Sequence, residues 1–439
     1  MKTTSLVAMV AAAGILLGAA VKPVKAADLG GGCCADLEER VAELEATTAR
    51  KGNRVVSLQV YGQVNKALMI WDDGIDSDAY VVDNDASSSR FGLTGSAKIK
   101  PGWSAGFKIE AEVDSAASNT VGQDDPIALD LGSNGDDGQR ETGLNVRRVE
   151  TYIESERLGR VSIGLISGAI DDITLIDLAS TSANSQDNFF SGGFFVRTAQ
   201  GLTDEEDYFA TNTDPALGGV TWGDIAPSLD RGREDAIRYD SPSIYGFIVS
   251  AAWGEDDYWD VALRFKKEWN SIRIAAGIGY MDDMDTGGDD IESVRGSISI
   301  MHIPTGIYGN FAAIDNEEDD GGSLDGEYYY FALGIAKNWT GYGNTIIYGE
   351  YGNYSDFGLG TAVNIDQTGT ADEDILIGSE VDYWGFGIEQ KFDSAALSIY
   401  LNFKFYEADL AFDDGVDALV NNTVTEDFQA VVIGTKIQF

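Results

Sequence analysis

From Val55 to Phe439 the chain keeps returning to one pattern, apolar residues at every second position in runs of eight to seventeen residues. A period of two is the signature of a strand with one apolar face. In the closing run, Val431, Ile433, Thr435, Ile437 and Phe439 share one parity, while Val432, Gly434, Lys436 and Gln438 share the other. Sixteen strands are predicted in this way: 55–71, 88–99, 103–113, 144–154, 160–167, 234–241, 246–254, 258–269, 271–280, 291–302, 306–314, 328–338, 342–353, 380–392, 395–406 and 427–439. The even count is what a closed antiparallel barrel of the bacterial outer membrane needs.

The connections fall into two kinds. Short ones at 100–102, 155–159, 242–245, 304–306 and 393–394 alternate with long ones rich in Asp and Gly. Short periplasmic turns and longer outer loops give that asymmetry. With a periplasmic start, the last strand runs down to the periplasmic rim. There it can close against the first, with Phe439 in the interfacial aromatic band. Trp71, Trp103, Trp253, Trp259, Trp269, Trp339 and Trp384 stand at or near predicted strand ends, and only Trp222 lies in a long loop. Girdles of amphipathic rings at both membrane interfaces explain that sorting.

The first 54 residues read differently. Lys2, the apolar run Leu6–Val21 and the small residue Ala26 predict a secretory signal over 1–26, cleaved after Ala26. The run is shorter than the ~20 residues a spanning helix wants. No later stretch is apolar enough to span as a helix, so an exported chain that enters a membrane must do so as a barrel. Residues 27–54 form a periplasmic leader. Within it, 36–49 place Leu37, Val41, Leu44 and Thr48 at heptad spacing, a short coiled-coil helix that needs partners to hold. Cys33 and Cys34 are adjacent, with no metal-ligand spacing, and Gly30 stands where a lipoprotein signal wants Leu. An intermolecular disulfide and an idle flexible leader both remain open for them.

Composition adds scale. The 439 residues include 44% hydrophobic residues, 52 glycines and seven prolines, with a mean hydropathy of −0.13. That suits one large folded body with many turns, here 55–439. Formal net charge is −43, and −46 once Lys2, Lys22 and Lys25 leave with the signal. The long connections 72–88, 114–142, 168–233, 255–257, 281–291, 315–327, 354–380 and 408–426 hold 50 acidic residues against Arg140, Arg197, Arg231 and Arg233. The rest of the mature chain holds 23 acids and 23 bases, so all the net charge lies on one rim. A one-signed field at a pore mouth gathers cations and repels anions, most at low salt. No cofactor is expected. Segments 282–290 and 315–327 lack full EF-hand spacing, which leaves weak Ca²⁺ binding or diffuse divalent screening for the acidic loops.

Residues 89–113 (SRFGLTGSAKIKPGWSAGFKIEAEV), 145–168 (NVRRVETYIESERLGRVSIGLISG) and 233–242 (REDAIRYDSP), in that order, resemble general bacterial porins, especially their alphaproteobacterial branch. The terminal Phe439 and the acidic coiled leader fit too. The resemblance covers essentially the whole mature chain. It implies an all-β, 16-stranded antiparallel transmembrane β-barrel in the Gram-negative outer membrane. Such barrels are usually trimeric, and their third outer loop folds inward to narrow the pore. Here the third connection, 168–233, is the longest, and a loop of that length without a function is improbable.

By matching position, Arg90, Lys108 and Arg147 or Arg148 stand where porins carry the basic wall of the eyelet. Alternation agrees for Arg90 (opposite Phe91, Leu93 and Ala97 in parity), for Lys108 (between Phe107 and Ile109) and for Arg148 (opposite Val149 and Ile153). Arg238 and Arg264 also have inward parity. A charge facing lipid at mid-membrane costs ~2–4 kcal/mol, so inward is the cheaper side. Asp171 and Asp172, early in the long loop, are the candidates for acids opposing this wall.

The reading is a porin for passive diffusion of small hydrophilic solutes and ions with modest cation preference. Expected partners are two further copies of the chain, outer-membrane lipid and lipopolysaccharide, with no nucleic acid. The rivals are a structural tether and a plugged barrel enzyme. For the latter, the one histidine, His302, has no serine–acid arrangement to join, and many acids without a defined cleft are little evidence for a paired-carboxylate hydrolase.

Overall fold

Sixteen antiparallel strands close a single sheet on itself. The computed structural model describes residues 56–123, 143–181, 193–197, 220–228, 232–255, 257–284, 290–318, 325–363, 374–413 and 421–439. The predicted signal segment 1–26, the predicted leader 27–54 with its expected helix 36–49, and Cys33–Cys34 lie outside them. The barrel opens with β1 (Ser57–Asp72), β2 in two pieces (Ser77–Asp83 and Arg90–Lys100), β3 (Trp103–Asp114) and β4 (Gly143–Ser155). Next come β5 (Gly159–Ser167), β6 (Arg233–Asp240), β7 (Phe247–Gly254) and β8 (Trp259–Trp269). Then follow β9 (Ile272–Met284), β10 (Asp290–His302), β11 (Ile307–Glu318) and β12 (Gly326–Lys337). The circuit ends with β13 (Thr345–Ser355), β14 (Asp374–Phe392), β15 (Leu397–Asp413) and β16, in two pieces (Asn421–Val424 and Phe428–Gln438). All sixteen predicted strands are present.

Closure is made where the alternation of the final run suggested. β16 pairs with β1 from Gln63↔Gln438 to Asp72↔Gln429. Phe439 and Gly62 exchange both backbone hydrogen bonds at 3.0 Å. The Phe439 ring lies over Gly62, where an added Cβ would come within 2.4 Å of a ring carbon. The pairing leaves no free edge, which is what lipid demands of a sheet. Among the described residues no helix is long and apolar enough to cross a membrane.

The outer face of the barrel is apolar, and part of the inner face is polar or charged. Val60, Ile109, Val149, Ile163, Phe331 and Leu333 are exposed on the outside, whereas Asn65, Ser162, Asp260, Ser299, Asn402 and Lys404 are buried on the inside. Trp253, Trp259, Trp269, Trp339 and Trp384 face outward. Trp71 does not join them; it points into the lumen and is 1% exposed. Its ring packs on Tyr80 and on Phe194 of the long loop at centroid distances of 5.8 and 5.2 Å. Position at a strand end could not distinguish the two faces.

The strands run further toward the loops than alternation suggested. β9 reaches Met284 rather than 280, β11 reaches Glu318 rather than 314, and β14 begins at Asp374 rather than 380. In these extensions the backbone ladder continues after the apolar residues have stopped, as expected where a sheet rises out of lipid into water. The outer piece of β2 is an unpredicted addition. It pairs with β1 from Lys66↔Asp83 to Asp72↔Ser77. A one-turn 3₁₀ segment, Asp85–Ser87, interrupts β2, and Gln63 and Asn65 donate side-chain bonds to the Ser87 and Ser88 carbonyls. At the opposite end the turns are tight. Asn270 and Ser271, with φ of 48° and 72°, join β8 to β9 with the two positive φ values of a twist-matched hairpin turn.

Candidate pore constriction

Local geometry decides which charges reach the lumen. Val146 and Val149 both face outward, 61% and 47% exposed, although they are three residues apart. Pure alternation forbids that. A register shift between β3 and β4 supplies the reason: Arg148 stands opposite Glu110 and Val146 opposite Ala111, leaving Arg147 as an extra residue. This β-bulge turns both arginines inward. Parity alone had left Arg147 outside, so the choice between Arg147 and Arg148 resolves to both.

Arg147 binds Glu110 (Nε to Oε1, 3.2 Å) and Glu112 (Nη1 to Oε2, 2.8 Å). Lys108 sits 3.3 Å from Glu110, whose Oε2 also accepts the Tyr61 hydroxyl at 2.8 Å. Lower on the wall, Arg160 pairs with Glu150 at 2.8 Å and lies over the Tyr152 ring. Arg238 is bidentate to Asp240, with its shortest contact 2.7 Å. Sequence reasoning singled out the cations and passed over Glu110, Glu112, Glu150 and Asp240. The signal was present: each acid lies two or four residues from a chosen cation, in KIEAE (108–112), RVE (148–150) and RYD (238–240), and therefore on the same face. The wall is an alternation of sign rather than a basic strip.

The long loop enters immediately after β5. A turn closed by Ile173 N–H to the Ile170 carbonyl holds Asp172 in the left-handed region at φ 59°, which Asp tolerates better than most residues. From there 168–181 tracks along the inside of the barrel. Ile170 N–H donates to Asp260 on β8 (2.9 Å), Ser297 on β10 donates to the Ile173 carbonyl, and Leu178 N–H donates to Ser299 (3.0 Å). Asn310 on β11 then binds Asp177 at 3.1 Å, and Lys391 on β14 donates to the Ala179 and Ser180 carbonyls. Gly277 and Gly279 make room for this path: a Cβ there would lie 2.7 Å from Ile173 and 2.6 Å from Ile170. Further described parts of the loop, 193–197 and 220–228, pack on the opposite wall. Phe194 and Trp222, the latter opening the one-turn helix α1 (Trp222–Ile225), pack with tilted rings against Phe428 of β16 at centroid distances of 5.0 and 5.8 Å. Buried tyrosines of β12–β15 extend that aromatic mass.

Two cavities remain against the charged wall. One of 490 Å³ is lined by Asp85, Arg90, Glu112, Arg147 and Arg233, and one of 440 Å³ by Glu150, Arg160, Arg238, Asp240 and Arg264. Lys108, Arg148, Asp171 and Asp172 line both, so the two cavities adjoin at these residues. All seven residues singled out from sequence therefore line one or both of these adjoining cavities. Asp171 does not stand across a gap from the basic wall, however. It lies on it, 3.9 Å from Arg148, with its carbonyl accepting from Arg264 at 2.6 Å. Arg238 likewise donates to the Gly168 carbonyl at 2.6 Å. These two guanidinium groups grip the root of the loop as well as lining the lumen. Asp172 opens to the lumen, but the surrounding protein removes much of its hydration. That effect, and next the charge of Asp171, push its carboxyl above its ordinary value, against the pull of Arg233, Arg148 and Arg264.

Residues 5–434 match the Gram-negative porin family. The chain belongs to that family. Among solved structures, the anion-selective porin from Comamonas acidovorans is similar at 18% identity with a TM-score of 0.52, covering 88% of this chain and 100% of the other. In-vitro folded OmpT, an outer membrane protein of Vibrio cholerae, is similar at 14% identity with a TM-score of 0.50, over 89% and 99% of the two chains. These likenesses carry the fold. Comparison with curated proteins gave no match. This porin is thus an outer-membrane barrel channel, and family and fold together imply a channel rather than an enzyme. His302 shares a hydrogen bond of 2.8 Å with Thr305 beside a turn. Among the described residues no three His, Cys, Asp or Glu side chains are arranged to hold a metal ion, and the tips of the two loops considered for Ca²⁺ lie outside those residues.

Proposed function

We propose that this porin lets small hydrophilic solutes and ions diffuse through the neck formed by Lys108, Arg148, Asp171 and Asp172, with a modest preference for cations. The observation that carries the reading is the sign alternation on the inner wall. Lys108, Arg147, Arg160 and Arg238 each have a carboxylate within 3.3 Å, so the wall's own charges largely cancel. The balance is then tipped by the acidic rim at the mouth. At ~0.1 M salt the Debye length is ~10 Å, so the rim acts at low salt and fades as salt rises. Diffuse divalent cations would screen it in the same way. The anion preference in the printed name of the Comamonas acidovorans porin belongs to that protein, and 18% identity does not bring it here.

We further propose that the chain works as a homotrimer after removal of residues 1–26, with segment 36–49 strengthening assembly, in contact with lipid and lipopolysaccharide. The motivation is a heptad stripe too short to fold alone. Reversal potentials in a KCl gradient test the selectivity: a cation-signed potential at low salt that shrinks at high salt supports it, and an anion-signed potential at low salt refutes it.

A further inference from the structure

Charge is spread unevenly along the axis of this channel. At the long-loop end lies the acidic rim, with 50 acidic residues against four arginines. At the level of the two cavities the signs balance, since Lys108, Arg147, Arg160 and Arg238 each have a carboxylate partner. Near the short turns the excess is positive. Lys98 stands directly opposite Ser104, which has the inward parity of Lys108, and Lys266 stands opposite the inward-facing Ala275. Both lysines are exposed, and neither ammonium has a partner among the described residues. Lys391 donates to the neutral carbonyls of Ala179 and Ser180. Arg273 is offset by Glu268 at 3.1 Å, and Lys436 by the nearby charge of Glu389. Among the described residues of this part of the inner wall, that leaves three lysines against Glu154.

Arg273 and Asp283 share the inward parity of β9 and stand ten residues apart, near its two ends. At ~3.3 Å per residue and a strand tilt of ~40°, that is ~25 Å along the barrel axis. The ends are therefore more than two Debye lengths apart at ~0.1 M salt, and each sets the mobile ions of its own half. Cations gather in the outer half and anions in the periplasmic half. A voltage positive on the outer side drives cations inward and anions outward, so both carriers enter the neck and its conductance rises. The opposite voltage draws both away and depletes it. We propose that this porin is a fixed-charge rectifier, passing ions more readily when the outer side is positive. The proposal rests on the acidic rim invoked for cation preference and adds a direction to it.

Single channels of the full-length protein are recorded in symmetric KCl at equal and opposite voltages. Orientation is assigned with Glu156→Cys, in the exposed turn between β4 and β5: a maleimide-coupled polyethylene glycol too large for the neck adds current noise only from the periplasmic side. At ~0.1 M KCl the current with the outer side positive should be about twofold the current at the opposite voltage, within reach of the few-kT potentials of one-signed surfaces. The ratio should approach one at ~1 M, where the Debye length is ~3 Å. Lys98→Glu with Lys266→Glu gives the periplasmic half the sign of the rim and should abolish the asymmetry, whereas Lys98→Arg with Lys266→Arg should keep it. Equal currents in the unsubstituted channel at low salt overturn the proposal, as does a larger current with the outer side negative. Undiminished asymmetry in the glutamate variant overturns the assignment to these lysines. An anion-signed reversal potential in a KCl gradient overturns the cation preference itself, a failure read in a separate measurement.

Discussion

If segment 168–181 narrows the pore by docking on the inner wall, loosening its apolar anchors should widen the channel without opening the barrel. Ile170 and Ile173 are the anchors, 2% and 0% exposed and seated over Gly279 and Gly277. Truncating a buried Ile to Ala costs about 2–5 kcal/mol, and two neighbours do not add fully. A loss on the order of 5 kcal/mol for Ile170→Ala with Ile173→Ala is therefore reasonable. At 1.4 kcal/mol per factor of ten, that lowers the docking constant by more than three orders of magnitude. Barrel closure rests on the backbone ladder, including the ten-residue register between β1 and β16, which the substitutions leave intact. Planar-bilayer recording should show larger and noisier single-channel currents, while the folded barrel still migrates separately from heat-denatured chain on a gel. Currents of unchanged size and noise from a folded barrel would refute the docking argument.

Other consequences can be checked in the same preparation. Arg90→Ser with Arg148→Ser should raise cation preference, because a unit charge ~6 Å from a permeant ion in water is worth about 0.7 kcal/mol, or about threefold; unchanged reversal potentials count against a neck at these residues. Since the Asp172 carboxyl lies above its ordinary value, it takes up a proton before typical carboxylates as pH falls. Cation preference should therefore decline in mildly acidic solution, and Asp172→Asn should begin lower and vary less with pH. Deleting residues 33–50 should weaken oligomer assembly without abolishing the barrel, which begins at Ser57; native mass measurement in mild detergent reads both, and an oligomer of undiminished stability excludes a role for the segment.

The fold was legible because a two-sided wall writes itself as strict alternation. The apolar parity of β16 predicted its pairing with β1, since an unpaired last strand would leave backbone groups unsatisfied in lipid. Strand ends were less legible, because Asp282, Asp283, Glu317 and Glu318 continue the ladder where lipid no longer requires an apolar face. The site was legible by parity where the register is unbroken, as at Lys108, Arg238 and Arg264. Arg147 was hidden by a bulge, and a bulge is set by how two strands meet rather than by either strand alone. The same limit applied to Asp171: its rank in the loop suggested a lumenal acid, but only the turn at Ile170–Ile173 shows that it lies against the arginines rather than across from them.

The central claim is that ions pass between the charged wall and the root of the long loop. Lys108→Cys places a thiol at the neck shared by both cavities. Exposure of the open channel to a bulky, water-soluble methanethiosulfonate reagent, with the unsubstituted protein as control for Cys33 and Cys34, tests the path directly. The account predicts an irreversible stepwise fall in single-channel conductance in the variant alone, whereas full conductance after complete labelling of the new thiol would show that ions take another route.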